Sequence, residues 1–109
     1  MNFQDTLLSL VIPLFNEEEN IQLLVKSIDE ALNEYKFEII LVDDFSTDKT
    51  VNEIKKLNHP KVKLIEFRKN YGQSSALAAG FDNAEGDYII TLDGDLQNKS
   101  KFIMMKSDP

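Results

Sequence analysis

Four short apolar runs are spaced along this chain, each separated from the next by a helix-length segment: LLSLVIP (7–13), FEIILVD (37–43), KVKLIEF (61–67) and DYIITLD (87–93). Alternation of this kind leaves few folds open. Strands joined through helices run parallel, the crossovers are right-handed, and both faces of the sheet must be covered. The first, second and fourth runs are almost continuously apolar, as strands buried on both faces are. The third alternates, with Lys61, Lys63 and Glu66 set outward, and so belongs at a sheet edge. The pattern predicts one domain over residues 1–109, a three-layer α/β/α unit with a parallel sheet in the order 3-2-1-4.

The intervening segments carry helical signals. Ile21, Leu24, Val25, Ile28, Leu32 and Tyr35 recur at spacings of three and four and define one apolar face. Asn16 is the expected N-cap of that helix, with Glu19 completing a capping box. Ser46 or Thr47 is expected to cap a second helix with Val51, Ile54 and Leu57 on its inner face. Gly72 precedes a third, over about 73–84, whose small residues (Ser74, Ser75, Ala76, Ala78, Ala79, Gly80) allow close approach to the sheet, and Gly86 reads as its C-terminal stop.

In a 3-2-1-4 sheet the segments after strands one, two and four, PLFNEE, DDFSTD and DGDLQ, meet at one rim. Ligands of open α/β sheets bind at the carboxyl ends of the strands. Asp93 and Asp95, separated only by Gly94 at the end of a long apolar strand, with Gln97 two residues on, offer three hard oxygen donors suited to Mg²⁺ or Mn²⁺ carrying a substrate phosphate. Asp43 and Asp44 are adjacent carboxylates that repel unless compensated. Either one accepts loop amides while the other is solvated, or one accepts from a base N–H or a ribose hydroxyl. Phe15 either fills a gap or stacks on a planar base. Glu18 and Glu19 suit a helix N-terminus, whereas Glu17 lies at the expected pocket mouth. Arg68, Lys69 and Asn70, with Lys61 and Lys63, form the one locally basic region, either a solvated edge or a counter-charge for a diphosphate.

A formal charge of −7 argues against nucleic acid as a partner. With no cysteine, the chain has no disulfide, thiolate zinc site or thiol nucleophile. The single histidine, His59, precedes Pro60 and is placed in a surface turn. No apolar segment approaches the roughly 20 residues of a membrane span, and the first residues lack the basic start of a signal peptide.

Together these residues resemble the donor-binding half of the family-two glycosyltransferases, which have a GT-A fold. Within them the chain is most similar to the polyprenyl-phosphate sugar transferases of the dolichol-phosphate mannose synthase group. The matching text is LSLVIPLFNEEENI, EIILVDDFSTDKT, RKNYGQSSALAAGF and GDYIITLDGDLQ, in order and covering nearly everything from Leu8 to Gln97. The resemblance implies that Pro13, Phe15 and Glu17 line the base and ribose of a nucleotide-diphosphate sugar, and that Asp43 or Asp44, Asp44 by preference, binds the base. It implies that Asn70, Gly72, Gln73 and Ala76 shape the sugar-diphosphate floor, joined by Asp93 and Gly94, and that Asp93, Asp95 and Gln97 hold a Mg²⁺ or Mn²⁺ ion bridging the diphosphate. The implied reaction inverts the anomeric carbon, with a polyprenyl phosphate as the acceptor in full-length relatives. The implied location is cytoplasmic, with those relatives associated with the cytoplasmic face of a membrane.

The chain departs from the family after DLQ, where it continues NKSKFIMMKSDP and ends. The acceptor half is missing from this text, so the isolated chain is expected to transfer no sugar. An uncovered flank on strand four, with the apolar run Phe102, Ile103, Met104 and Met105 nearby, leads to the expectation of a homo-oligomer, against a monomer whose tail folds back as a short helix. Three other readings use some of the same residues: a receiver-like or nucleotide-binding domain without catalysis, a haloacid-dehalogenase-type phosphatase, and a folded fragment that binds nothing tightly. The acid pair of a receiver and the DxD of that phosphatase both belong after a first strand, and here they follow the second and fourth.

Overall fold

A computed structural model describes residues 5–92 and the backbone of residues 103–106. Along the chain run β1 (Leu7–Leu14), α1 (Ile21–Ala31), β2 (Lys36–Asp43), α2 (Thr50–Leu57), β3 (Val62–Glu66), α3 (Gln73–Asn83), β4 (Tyr88–Thr91) and β5 (Ile103–Lys106). They form one sheet in the order β3-β2-β1-β4-β5. The expected strands are present, parallel and in the expected order. A fifth, unexpected strand pairs antiparallel with β4, Tyr88 opposite Lys106 and Thr91 opposite Ile103. The β4 flank is thus paired within the chain, by a strand and not a short helix.

Side-chain alternation divides the core. Leu8, Leu10, Ile12 and Leu14 of β1, with Phe37, Ile39 and Leu41 of β2, join Ile21, Leu24, Val25 and Ile28 of α1 and Ile54 of α2. The intervening Val11, Ile40 and Val42 face the other way and join Ala76 of α3 and Ile89 of β4. Helices therefore cover both faces, as a parallel sheet requires. Burying a side chain such as Ile12 or Leu41 completely contributes about 1.5–3 kcal/mol, so this pattern fixes register as well as fold. α3 lies close on the sheet because Gly80 has no side chain; a Cβ there would stand 2.2 Å from Val11 Cγ1.

Several local expectations are corrected. Asn16 does not cap α1, which begins at Ile21 after Asn20, so Glu19 completes no capping box. Asn16 is left-handed (φ 53°) and directs its side chain to a neighbouring loop. Neither Ser46 nor Thr47 caps α2; the Asp48 carboxylate accepts both the backbone amide and the hydroxyl of Thr50. α1 stops before Tyr35, which is exposed. Gly86 is not the residue that ends α3, which closes at Asn83. It is needed because a Cβ would meet Ser9 Oγ at 2.4 Å and the Leu7 carbonyl oxygen at 2.8 Å.

The amino end of the sheet is tied by a buried polar cluster. Glu38 Oε2 accepts from the Ser9 hydroxyl (2.6 Å) and the Glu85 amide (2.7 Å), Ser9 Oγ accepts from the Gly86 amide (2.8 Å), and Lys63 Nζ lies 2.8 Å from Glu38 Oε1. Burial pushes the Glu38 carboxyl up, but the hydrogen bonds from Lys63, Ser9 and the Glu85 amide, with the Lys63 charge, outweigh it and hold the group below its ordinary value. Lys63 is correspondingly raised, first by its bond to Glu38. Lys61 sits 4.0 Å over the Phe37 ring. Both lysines serve this end of the sheet and not the opposite rim. His59 lies in the turn after α2, where its Nδ1 accepts the Lys61 amide and its Nε2 donates to Asp29 at 2.9 Å.

Candidate functional site

The carboxyl ends of β1, β2 and β3 are level, Leu14 opposite Asp43 and Asp43 opposite Glu66, so the loops that follow emerge together. Asp43 and Asp44 are both buried, 3% and 6% exposed, and neither is solvated. Their mutual repulsion is relieved by geometry. Neighbouring residues on an extended chain point to opposite faces, and each carboxylate engages a different loop. Asp43 accepts the amide (3.0 Å) and the hydroxyl of Ser46, within its own loop. Asp44 accepts the Tyr71 amide on Oδ1 (2.7 Å) and the Gly72 amide on Oδ2 (3.0 Å), at the start of α3. The Asn70 side-chain amide donates to the Asp44 carbonyl (3.2 Å). Gly72 is needed for its backbone, φ +97°, since a Cβ there would meet nothing within 4 Å.

The loop after β1 is bound to the loop after β2. Asn16 Oδ1 accepts the Thr47 amide (2.8 Å) and the Asp48 amide (3.3 Å), while the Asn16 amide donates to Ser46 Oγ (2.9 Å). The Glu17 amide donates to Thr50 Oγ1 (2.9 Å) and the Glu18 amide to Asp48 Oδ2 (3.3 Å). Burial pushes the Asp48 carboxyl up, but its bonds from the Thr50 hydroxyl and from the Thr50 and Glu18 amides hold it below its ordinary value.

The structure brings Pro13, Phe15, Glu17, Asp43, Asp44, Asn70, Gly72 and Gln73 to this rim. Ala76 is fully buried against the sheet and lines no open surface. Asp93, Gly94, Asp95 and Gln97 lie outside the described residues; the last described residue before them, Leu92, donates its amide to the Val11 carbonyl at 3.3 Å, beside β1. Among the described residues no group of three or more His, Asp or Glu side chains is placed to hold a metal.

Sequence reasoning missed two aromatic residues. Phe45 and Tyr71 are 50% and 57% exposed, and with Phe15 at 46% they put an exposed ring on the loop after each of β1, β2 and β3. Tyr71 is steadied by an edge-to-face contact with Phe67, centroids 5.4 Å apart. The available signal was an aromatic flanked on both sides by polar loop residues, in DDFST and KNYGQ.

The parallel strands β1 to β4 make an open α/β unit of the kind whose ligands bind at the carboxyl ends of the strands, where these acids and exposed rings lie. The chain belongs to the glycosyl transferase family 2, whose family model matches residues 9–104. That membership sets aside the receiver and phosphatase readings. The chain is 44% identical over 101 residues to dodecaprenyl-phosphate galacturonate synthase of Rhizobium johnstonii, covering 88% of this chain and 30% of that protein. It is 47% identical over 100 residues to undecaprenyl-phosphate 4-deoxy-4-formamido-L-arabinose transferase of Proteus mirabilis, covering 87% and 31%. The chain thus spans about a third of the curated relatives it matches. Its fold is similar to GT-A glycosyltransferases: TarS 1–349 of S. aureus in complex with UDP (TM-score 0.70, 27% identity, 81% of this chain and 27% of that one), and the mannosyltransferase PcManGT of Pyrobaculum calidifontis with GDP-Man and Mn²⁺ (TM-score 0.70, 25% identity, 81% and 27%).

Proposed function

We propose that this chain is the donor-binding part of a glycosyltransferase that takes a nucleotide-diphosphate sugar and a divalent cation for inverting transfer to a polyprenyl phosphate. The observation that carries the reading is the pair of buried carboxylates, Asp43 and Asp44, fixed at the rim among exposed rings. Each carboxylate oxygen has two lone pairs, so an oxygen that accepts one loop amide can accept a further donor from a ligand. An acceptor edge beside flat rings suits a base with an N–H on its pairing edge, uracil or guanine. Two of the solved relatives carry UDP and GDP-Man.

A diphosphate approaching Glu17, Asp43 and Asp44 meets like charge, and the cations in the described loops after β2 and β3, Lys49, Arg68 and Lys69, are all exposed. A divalent ion removes that penalty. Asp93, Asp95 and Gln97 offer the hard oxygen donors that Mg²⁺ or Mn²⁺ prefers, directly after the segment that Leu92 ties to β1. When bound, the ion would neutralise charge on the departing diphosphate. In the transfer an acceptor phosphate oxygen attacks the anomeric carbon from the face opposite the diphosphate, whose oxygen leaves with the bonding pair. That acceptor is already anionic near neutral pH and needs no strong base. The chain's own part is to bind and orient the donor; the acceptor is expected to be held elsewhere, so transfer by the isolated chain is not expected. A homo-oligomer would have to form without the β4 flank, which β5 occupies.

Calorimetry with UDP, GDP, ADP and CDP, in Mn²⁺ and in chelator, tests the reading. UDP or GDP should bind best and only with the metal, and Asp95→Ala should remove the metal dependence while Glu18→Ala changes little. Equal binding with and without Mn²⁺ would reject the metal assignment, and no binding of any nucleotide would reject the donor site.

A further inference from the structure

Four described residues have positive φ: Asn16 (53°), Phe45 (64°), Asn58 (46°) and Gly72 (97°). Glycine takes this region freely and asparagine tolerates it. A bulky aromatic there is an outlier, and such outliers persist where the surroundings over-determine them, often at ligand sites. What holds Phe45 in place is clear. Its neighbours on both sides are fixed, Asp44 by the Tyr71 and Gly72 amides and Ser46 by the Asp43 carboxylate and the Asn16 amide. What the ring contributes to folding is little, since it is half exposed and belongs to neither core cluster. The position would be easier for the backbone with Asn or Gly, yet it carries a phenyl ring between the two carboxylates and the hydroxyl that brace the rim.

We propose that Phe45 is a donor-binding residue that stacks on the nucleobase. This rests on the donor-binding reading above. A ring beside acceptor carboxylates recognises a planar heterocycle by its face while the acids take its N–H groups. A diphosphate, which has no flat ring and near neutral pH is an acceptor, makes neither contact.

The test compares UDP and inorganic pyrophosphate, each with Mn²⁺, on the wild-type chain and on Phe45→Asn, by calorimetry, with Tm measured alongside. Asn suits the left-handed backbone, so Phe45→Asn should melt no lower than wild type. It should bind UDP about 5- to 150-fold more weakly, the range of a lost base–aromatic stack, and bind pyrophosphate with unchanged affinity. A second variant gives a direct readout. The chain contains no tryptophan, so Phe45→Trp is a single reporter whose fluorescence should be quenched by UDP and not by pyrophosphate. A folded Phe45→Asn that binds UDP as tightly as wild type, or a Phe45→Trp emission that ignores bound UDP, overturns the proposal. A lower Tm with unchanged UDP affinity assigns the ring to folding and overturns it too. Failure of the wild-type chain to bind any nucleotide would instead remove the donor-binding reading itself, and this proposal with it.

Discussion

Gly80→Ala sets two effects of known size against each other. In an exposed helix the change stabilises by about 1 kcal/mol, because glycine costs backbone entropy that alanine does not. Here the new methyl would stand 2.2 Å from Val11 Cγ1, where 3.0 Å is already closer than real Cβ atoms come. Val11 is completely buried, and its Cβ and Cγ2 lie 3.2 and 3.3 Å from the same point, so rotating the valine does not clear the space. Helix and sheet must separate by about 1 Å, which loosens the face formed by Val11, Ile40, Val42, Ala76 and Ile89. Overpacking of this kind costs about 1–3 kcal/mol and more when the neighbour cannot move, so the clash wins. We expect a net loss of about 1–2 kcal/mol, read as a Tm fall of about 5–15 °C for a domain of this size. Urea denaturation followed by circular dichroism gives the same quantity from the midpoint. Val11→Ala alone should also destabilise, by about 1–3 kcal/mol for the lost methyls and the cavity. Combined with Gly80→Ala it should recover much of that loss, giving a favourable coupling of about 1 kcal/mol or more. A Gly80→Ala chain as stable as wild type, or strictly additive variants, would show that α3 is free to ride up and that close approach does not require this glycine.

Gly86→Ala should destabilise for a related reason, by about 1–3 kcal/mol in a urea titration, because its methyl would displace the Ser9 hydroxyl and crowd the β1 backbone. Glu38 and Asp48 both have folded pKa values below their ordinary values of 4.5 and 3.8, so the stability they contribute is full above those values and is lost as pH falls through the lower folded ones; denaturation midpoints measured from pH 7 to pH 3 should fall chiefly below about pH 4.5, and Glu38→Gln should flatten that fall. Asp48→Ala should cost about 1–2 kcal/mol through the unsatisfied Thr50 and Glu18 amides, whereas Glu19→Ala, once expected to complete a capping box, should leave the melting curve unchanged.

Strand order and helix faces were readable because they rest on two periodicities. The alternation in KVKLIEF placed β3 at the edge, and the spacing of Ile21, Leu24, Val25 and Ile28 placed α1 on its face. The helix starts were misread because their partners come from elsewhere in the chain. Asn16 looks like a local cap, but its carbonyl oxygen is held by Thr47 and Asp48, about thirty residues on. Gly86 looks like a helix stop because a glycine after a helix usually is one; the close approach of β1 that requires it is a tertiary fact. The acid pair was recognised, but its partition between two loops depends on which way each residue faces at the end of β2. Phe45 carries no such signal, because the sign of φ is not written in a phenylalanine.

The same bonds that hold the rim bear on what a ligand finds there. The loops after β1, β2 and β3 are fastened to one another by Asn16, Asp44 and Asp48, with Asp43 bracing the second from within, so the described part of the proposed site is braced before any nucleotide arrives. Preorganisation lowers the ordering cost of binding, and it changes what the acids mean. Asp44 is first a clamp on the start of α3, and its value to a ligand depends on that clamp staying closed. A base N–H that shares an oxygen with the Tyr71 or Gly72 amide adds to a carboxylate already in position. One that had to displace the amide would leave a buried donor unpaired, at about 1–3 kcal/mol. If Asp44 takes the base as proposed, sharing would be the favoured arrangement, and it would link recognition of the base to the backbone at Gly72, where α3 begins.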